Sequence, residues 1–411
     1  MKILIIGKVW PEPDSSAAGR RMKQLIALLR YRGEVHFACA NALTGNEIDL
    51  KSMEVTVQQI ALNDDAVNVY FRELNPDIVV FDRFLTEEQY GWRIMEHCPD
   101  AIRILNTEDL HFLRKTRQKF VKTTNRIAVD TTVLDFQNEE TMRELASIYR
   151  SDLTLIISPF EMELLQQEMQ VPGELLAYLP LFTEQKTESF IPFEERKNFL
   201  FIGNMLHEPN ADAIRVLVES IWPELRKQCA NAELIIAGAY PSQHIMQLNN
   251  EKNRIKVVGH VKDLDALYKT VRVSLIPLRY GAGIKGKIME TLEYGVPFMS
   301  TSVGTEGMFF GADWEDCVAD DWASFVQKAI SQYCDRTKWE SYRKSGKQHL
   351  QTYFSQSLFE QEFLDQIDNL ATTIQMKRKK RYFSSLVQHH TLMSTRYLSK
   401  WIMEKNNKNV E

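Results

Sequence analysis

The chain has 411 residues, a net charge of −5, 44% hydrophobic residues and 26% charged residues. This composition is ordinary for a globular protein, and the length predicts two domains of usual size with extensions. No apolar run approaches the roughly 18 to 20 residues of a membrane span, so we expect no integral membrane protein. Five scattered cysteines form no C-x-x-C pair, which favours a reducing cytoplasm and excludes a structural zinc site.

In the first half of the chain, apolar runs alternate with amphipathic stretches such as Arg20 to Leu29. This alternation predicts a doubly wound parallel sheet. Gly7 and Lys8 end the first run, and no small-residue cleavage site follows, so we expect a cytoplasmic protein without an export signal. The predicted strands are KILIIG, EVHFACA, EVTVQQI, DIVVFD, AIRILN and DLTLIIS.

The second half repeats this scheme, with helices predicted at 210–228, 262–270 and 287–294. The repeated alternation of strands and helices predicts a second α/β unit. The segment from Leu179 to Lys197 contains two prolines and breaks both periodicities, so we place the domain boundary near residue 185. The predicted strands are NFLFIG, AELIIAG, IKVVG, VRVSLIPL, VPFMST and DCVAD.

Helical periodicity dominates after Asp320, over residues 321–333, 338–350 and 357–374. The predicted organisation is a first domain at 1–184, a second domain at 185–356, a helix at 357–374 and a tail at 375–411.

The tail is basic, since residues 372–411 hold nine Lys or Arg against two Glu. Its apolar residues recur at three- and four-residue spacing, which predicts an amphipathic helix. The helix either lies on an anionic membrane surface or packs on its own protein or on a partner, and we favour surface attachment. Nucleic-acid binding is disfavoured because the cations are not interleaved with stacking aromatics.

Residues 273–307 carry the most informative pattern. The strand VSLIPL feeds the loop RYGAGIKGK and then a helix, which places backbone N–H groups and the helix dipole at the carboxyl edge of a sheet. Arg279, Lys285 and Lys287 add cations there, and the Glu290 carboxylate is suited to accept hydrogen bonds from ribose hydroxyls. These residues predict a nucleotide-diphosphate site.

The pattern R-x-G-x-G-x-K-x-K-x-x-E-x-x-x-x-G-x-P, followed by S-T-x-x-G-x-E-G, resembles the donor half of family 4 glycosyltransferases, among the group 1 enzymes. The resemblance covers roughly residues 199–345 with specific motifs and residues 1–183 only in general organisation. It implies the GT-B fold, in which two Rossmann-like domains face each other across a cleft. The domain at 1–184 is then implied to bind the acceptor, and the domain at 185–356 to bind the nucleotide-sugar donor. The resemblance also implies that the helix at 357–374 crosses back to the first domain.

The resemblance implies that Glu290 binds the nucleotide ribose. The family's first motif glutamate falls at Ala282 and is absent. Either the backbone N–H groups of Gly281, Ala282 and Gly283 contact the donor sugar instead, or catalysis is weakened; the sequence leaves both open.

Further candidates surround this motif. Arg279, Lys285 and Lys287 are candidates for neutralising the diphosphate, with Lys285 the first choice. Thr305 and Glu306 are implied to lie near the donor. Asn204, after the NFLFIG strand, is a cleft candidate, and Asn210 is predicted to cap a helix that starts at Ala211.

In the first domain, Gly19 belongs to the loop after strand one, which the resemblance places opposite the donor. Asp109 and His111 follow the AIRILN strand and are candidates for contacting the sugar or the acceptor. Surface or capping roles are about as probable for these two side chains.

The resemblance implies a retaining glycosyltransferase that moves a sugar from a nucleotide-diphosphate donor to a glycan, lipid-linked or protein acceptor. We expect no cofactor and no metal, because the only D-x-D sequence of note, Asp263 to Asp265, stands at a predicted helix start. One alternative is a catalytically impaired GT-B subunit that senses nucleotides or acts as a scaffold. Another is a sugar-nucleotide epimerase of the same fold.

Overall fold

The computed structural model describes residues 1–184 and 191–408, without the side chains of residues 390–393 and 406–408. The described residues contain two parallel sheets, one in each half of the chain. The domain boundary predicted near residue 185 lies outside the described residues.

The strands of the first sheet are β1 (Lys2–Gly7), β2 (Glu34–Cys39), β3 (Thr56–Gln59), β4 (Ile78–Asp82), β5 (Ile102–Asn106), β6 (Leu153–Ile156) and β7 (Leu176–Tyr178). They run parallel in the order β3-β2-β1-β4-β5-β6-β7. All six predicted strands are present. The three-residue β7 was not predicted, since LAY is too short to show a periodic pattern.

Helices cover both faces of this sheet, because successive side chains of each buried strand point to opposite faces and both sets are apolar. The first helix begins at Ala17, before the two arginines, because the Ser16 hydroxyl accepts a hydrogen bond from the Gly19 N–H and caps the first turn. The helices are α1 (Ala17–Leu29), α2 (Ala66–Leu74), α3 (Phe84–His97), α4 (His111–Thr124), α5 (Glu139–Arg150) and α6 (Pro159–Glu163).

The strands of the second sheet are β8 (Asn198–Ile202), β9 (Leu234–Ala237), β10 (Ile255–Gly259), β11 (Val271–Ile276) and β12 (Phe298–Ser300). They run parallel in the order β10-β9-β8-β11-β12. The strand predicted at DCVAD is wrong. Residues Ala312–Cys317 form a 3-10 turn that buries Trp314 and Cys317, and Val318 makes only an isolated bridge to Ser300.

Helices around the second sheet begin close to their predicted positions. The capping role predicted for Asn210 is wrong, because the helix starts at Glu208 and Asn210 lies inside its first turn. The helices are α7 (Glu208–Val216), α8 (Trp222–Gln228), α9 (Gln243–Met246), α10 (Leu264–Thr270), α11 (Gly286–Glu293), α12 (Ser302–Thr305), α13 (Trp322–Cys334) and α14 (Arg336–Phe354).

Two C-terminal helices, α15 (Glu360–Arg378) and α16 (Tyr382–Lys408), lie on the first domain. The apolar side of α15 is buried in the core beneath the first sheet, through Phe363, Leu364, Ile367, Leu370 and Ile374. α16 packs along α3 and α5. Among the described residues, no helix combines the length and the apolar character that crossing a bilayer requires.

Candidate functional site

A cavity of about 630 Å³ lies between the two domains. Its first wall is built by the loops after β1, β4 and β5, and its second wall by the loops after β8, β9, β10 and β11. Every one of these loops leaves the carboxyl end of a parallel strand. This is the edge at which open α/β sheets bind ligands.

Lys285 and Lys287 stand at the start of α11 and line the cavity. The Lys285 ammonium donates hydrogen bonds to the backbone carbonyl oxygens of Ala282 (3.2 Å) and Gly283 (2.6 Å). The Lys287 ammonium donates to the Asn210 side-chain oxygen. The predicted capping residue therefore positions a cation of the second wall.

Neither lysine forms an ion pair within the described part of the chain. Burial lowers the pKa of Lys285, and burial together with the neighbouring Lys285 charge lowers the pKa of Lys287 to about 7. Both lysines stand at the positive end of the α11 dipole. An anionic ligand in the cavity would therefore stabilise the charged form of both side chains.

Glu290 lies one turn further along α11 and also lines the cavity. Its Oε1 accepts a hydrogen bond of 2.9 Å from the Tyr268 hydroxyl. The Tyr268 ring stacks on Tyr294, with 4.4 Å between ring centroids, so the hydroxyl is held in place. Two cations and one oriented carboxylate are thus presented from six consecutive residues.

Arg279, a predicted phosphate ligand, does not line the cavity. Its guanidinium forms an ion pair with Asp212 and donates a 2.6 Å hydrogen bond to the Asn125 side chain. These partners hold the charge at the domain interface. Gly283 is also outside the lining, and its N–H donates 2.8 Å to Glu161 of the first domain, so this N–H is not directed at a donor sugar.

Thr305 and Glu306 are likewise outside the lining. Arg117 of the first domain donates two hydrogen bonds, of 2.8 and 2.6 Å, to the Glu306 carboxylate and a third, of 2.9 Å, to the Gly281 carbonyl oxygen. The Thr305 hydroxyl bonds backbone oxygens of its own helix. Glu306 therefore joins the two domains rather than facing a ligand.

Four other predicted residues do line the cavity: Gly19, Asn204, Gly281 and Ala282. Gly19 permits close packing, because a Cβ there would stand 2.2 Å from the Glu12 carbonyl oxygen. Ala282, at the position of the missing glutamate, packs into an apolar cluster of the first domain.

Asp109 and His111 also line the cavity. Asp109 is paired with Arg114, and its Oδ1 lies 3.6 Å from the His111 Nε2. Burial lowers the pKa of His111 to about 3, so its imidazole is neutral at neutral pH. Despite burial, the Arg114 guanidinium holds the pKa of Asp109 well below its ordinary value. A charged carboxylate beside a neutral imidazole suits contacts with sugar hydroxyls.

The predicted site residues did not include Arg21, Asp82, Arg83 and Glu108, which are among the charged residues of the first wall. Asp82 ends the predicted strand DIVVFD and Arg83 follows it, and this position at a carboxyl edge was the available signal. Among residues 1–184 and 191–408, no group of three or more His, Cys, Asp or Glu side chains is arranged to hold a metal ion.

The family model described as "Glycosyl transferases group 1" matches residues 196–335. A curated relative, an uncharacterized 44.6 kDa protein in the cps region of Klebsiella pneumoniae, is 25% identical over 141 residues. That match covers 33% of this chain and 36% of the relative, so about a third of each length is shared.

Solved structures match nearly the whole chain. Sucrose-phosphate synthase of Thermosynechococcus elongatus superposes with a TM-score of 0.67 at 15% identity, covering 90% of this chain and 99% of that one. HepE of Anabaena in complex with UDP-glucose superposes with a TM-score of 0.65 at 12% identity, covering 90% and 100%. TarM of S. aureus, in a complex that contains UDP, superposes with a TM-score of 0.55 at 11% identity, covering 74% of this chain and 58% of that one. The chain therefore has the two-domain GT-B fold, as predicted.

Proposed function

We propose that this protein is a retaining glycosyltransferase, similar to family 4, that transfers a sugar from a nucleotide-diphosphate donor to a glycan, lipid-linked or protein acceptor. The observation that carries the proposal is the set Lys285, Lys287 and Glu290, presented together at the carboxyl edge of the second sheet. The match to the group 1 model over residues 196–335 and the UDP-glucose bound by HepE support it.

In this mechanism the two lysines and the α11 N-terminus neutralise the leaving diphosphate, while Glu290 accepts hydrogen bonds from the ribose. The diphosphate oxygen takes the proton of the acceptor hydroxyl as the new C–O bond forms on the face that the diphosphate leaves. The positive charge comes from the lysines, so we propose transfer without a metal or cofactor. Loss of one lysine is expected to cost about 3 kcal/mol, roughly two decades in rate.

The donor half of the proposal is tested by thermal unfolding with UDP, GDP, ADP, dTDP and CMP. We expect one nucleotide to raise the melting temperature of the wild type and to lose this effect in Glu290→Ala. Glu251→Ala, an exposed glutamate of the same domain, is the control that keeps the response. If none of the nucleotides stabilises the protein at millimolar concentration, the proposal is wrong and the scaffold alternative gains weight.

Retention is tested separately. With the donor sugar identified, NMR of the fresh product gives the anomeric configuration of the new linkage. The same configuration as in the donor supports a retaining reaction, and the opposite one rejects it. Interconversion of the donor sugar without any acceptor would favour an epimerase instead.

We also infer that α16 attaches the protein to the inner face of an anionic membrane. The side of α16 that packs on the protein carries polar residues. Ser384 and Ser399 are buried there, and the Ser399 hydroxyl donates a hydrogen bond of 2.9 Å to the Asn63 side chain. Its outer face exposes apolar and aromatic side chains, Tyr382 (82%), Leu386 (53%), Tyr397 (60%) and Trp401 (59%). Tyr and Trp are the residues enriched at membrane–water interfaces.

Cations without an ion-pair partner in the described part of the chain precede α16 in the sequence, Lys377, Lys379 and Lys380, or belong to it, Lys400. We expect co-sedimentation with vesicles containing phosphatidylglycerol, weakened by salt and by Trp401→Ser. Leu43→Ser removes an equally exposed apolar side chain elsewhere and is the control. Equal binding to neutral and anionic vesicles, or no effect of Trp401→Ser, would reject the attachment.

A further inference from the structure

The loop 281–285, which leads into α11, is held by side chains of the first domain. Arg117 of α4 donates a hydrogen bond of 2.9 Å to the Gly281 carbonyl oxygen. Glu161 of α6 accepts a hydrogen bond of 2.8 Å from the Gly283 N–H. Both of these side chains are buried. The backbone of the loop is therefore fixed from across the domain interface.

The same loop holds the Lys285 ammonium, which donates hydrogen bonds to the carbonyl oxygens of Ala282 and Gly283. Gly283 is thus bonded on both sides, through its N–H to Glu161 and through its carbonyl oxygen to Lys285. It has a φ of 65°, and a Cβ there would stand 2.9 Å from the Ile157 Cδ1, so the loop lies directly against the first domain. A continuous series of contacts runs from Glu161 through Gly283 to the Lys285 ammonium.

One oxygen atom of Glu161 bonds segments of both domains. Besides the Gly283 N–H, its Oε1 accepts a hydrogen bond of 2.9 Å from the Leu110 N–H. Leu110 stands between Asp109 and His111, the two polar residues of the first domain that line the cavity. Glu161 therefore fixes the spacing between this segment of the first wall and the lysine-bearing loop of the second wall.

Capping of its own helix does not explain Glu161. It occupies the third position of α6, after Ser158 at the N-cap, where a glutamate ordinarily bonds the N-cap N–H. Its Oε1 instead bonds two N–H groups of other segments, and its Oε2 is buried without a hydrogen-bond partner in the described part of the chain. Burying a carboxyl group with an unpaired oxygen costs stability, which indicates a role other than stability.

We propose that Glu161 is a positioning residue of the donor site, which fixes the loop 281–285 and thereby the Lys285 ammonium without touching the ligand. This inference rests on the proposed function, in which Lys285 neutralises the leaving diphosphate. It adds that the lysine is held in place only while the first domain lies against the loop. The bond from Gly283 to Glu161 crosses the interface, so separating the domains removes it. A donor bound to separated domains then lacks the positioned cation and is cleaved more slowly.

The position of the loop is tested first, by hydrogen exchange and mass spectrometry of the ligand-free full-length protein. Glu161→Met removes the accepting oxygen, so the Gly283 amide is expected to exchange about tenfold faster. Glu161→Gln keeps an accepting oxygen and is expected to keep the slow exchange. It also matches the charge of the wild type, because burial, followed by the Asp109 carboxylate, raises the pKa of Glu161 to about 8. Glu163→Met, exposed on the same helix, is the control.

The second readout separates positioning from a general loss of stability. It is the kcat for cleavage of UDP-glucose by water, or of the matching glucose nucleotide if the thermal-unfolding panel selects another base. Glu161→Met is expected to lower this kcat about tenfold and Lys285→Met about a hundredfold. If Glu161 acts through Lys285, the double variant is no slower than Lys285→Met alone. Independent effects would multiply to about a thousandfold, and that result would overturn the proposal.

The exchange experiment can also reject the proposal, through unchanged exchange of Gly283 in Glu161→Met or fast exchange that persists in Glu161→Gln. If Glu161→Met does not fold, Glu161→Asp replaces it in both assays, because it draws the carboxyl group back by one carbon and the same directions are expected. If exchange responds as expected while no nucleotide binds, the proposed function fails and the fixing of the loop by Glu161 stands.

Discussion

The charge of Lys287 predicts a pH dependence of nucleotide binding. Its pKa is lowered to about 7 by burial and by Lys285, so in the ligand-free protein the ammonium loses its proton as the pH rises through neutrality. A diphosphate stabilises the protonated form. Binding therefore takes up a proton above pH 7, and affinity falls as the pH rises.

The size of the effect follows from the protonated fraction. With a pKa of about 7, this fraction drops from about one half at pH 7 to about one hundredth at pH 9, so the affinity for UDP falls about fiftyfold. The second ionisation of a terminal phosphate lies near pH 6, so it changes little over this range. The pH dependence above 7 therefore reports the protein.

The measurement is calorimetric titration with UDP from pH 7 to pH 9 at constant ionic strength. Lys287→Arg is the matched variant, because a guanidinium stays charged throughout. Lys285 has a lowered pKa in both proteins, so the difference between the two slopes isolates Lys287. Equal slopes, or a wild-type affinity that rises with pH, would refute the reasoning.

Two further predictions concern stability. Arg83→Gly relieves backbone strain at a φ of 72° but also raises the entropy of the unfolded chain, so we expect a net rise of about 0–2 kcal/mol in the free energy of unfolding; a lower melting temperature by calorimetry would contradict this. Arg117→Met leaves the Glu306 carboxylate buried without its partner and is expected to cost about 3–5 kcal/mol in denaturant unfolding. Arg215→Met breaks the exposed pair with Glu219, while Asp212 keeps its second partner Arg279, and the expected cost is about 0–1 kcal/mol. Equal losses in the two variants would reject the difference.

The fold was predictable because buried parallel strands appear in the sequence as continuous apolar runs between amphipathic helices. Lys285, Lys287 and Glu290 lie within six residues, so a strand, a loop and one helical turn suffice to bring them together. The sequence did not predict which way the Arg279 side chain points. Its partner Asp212 is 67 positions away, and only the packing of α7 beside the loop after β11 brings the two together.

The charged residues Arg21, Asp82, Arg83 and Glu108 of the first wall show the same limit more strongly. They belong to α1, β4 and the loops after β4 and β5, which become neighbours only through the strand order of the sheet. Asp109 and His111 were predicted from their position after the AIRILN strand, and Glu108, next to Asp109, was not. The distinguishing features of Glu108 are its left-handed backbone and its burial near Asp82, and neither can be read from residue types.

The lysines proposed to bind the donor are not the groups that join the two domains. Arg117 bonds Glu306, and Glu161 bonds the Gly283 N–H, and none of these four residues lines the cavity. Of the cations that line it, Arg20 of the first wall does pair across the interface, with Glu293 at 2.9 Å. Lys285 and Lys287 of the second wall form no ion pair in the described part of the chain. A donor therefore gains the lysines without breaking a contact that holds the domains together, and its diphosphate places negative charge beside these two lysines. Nucleotide binding is accordingly expected to stabilise the closed arrangement rather than to compete with it.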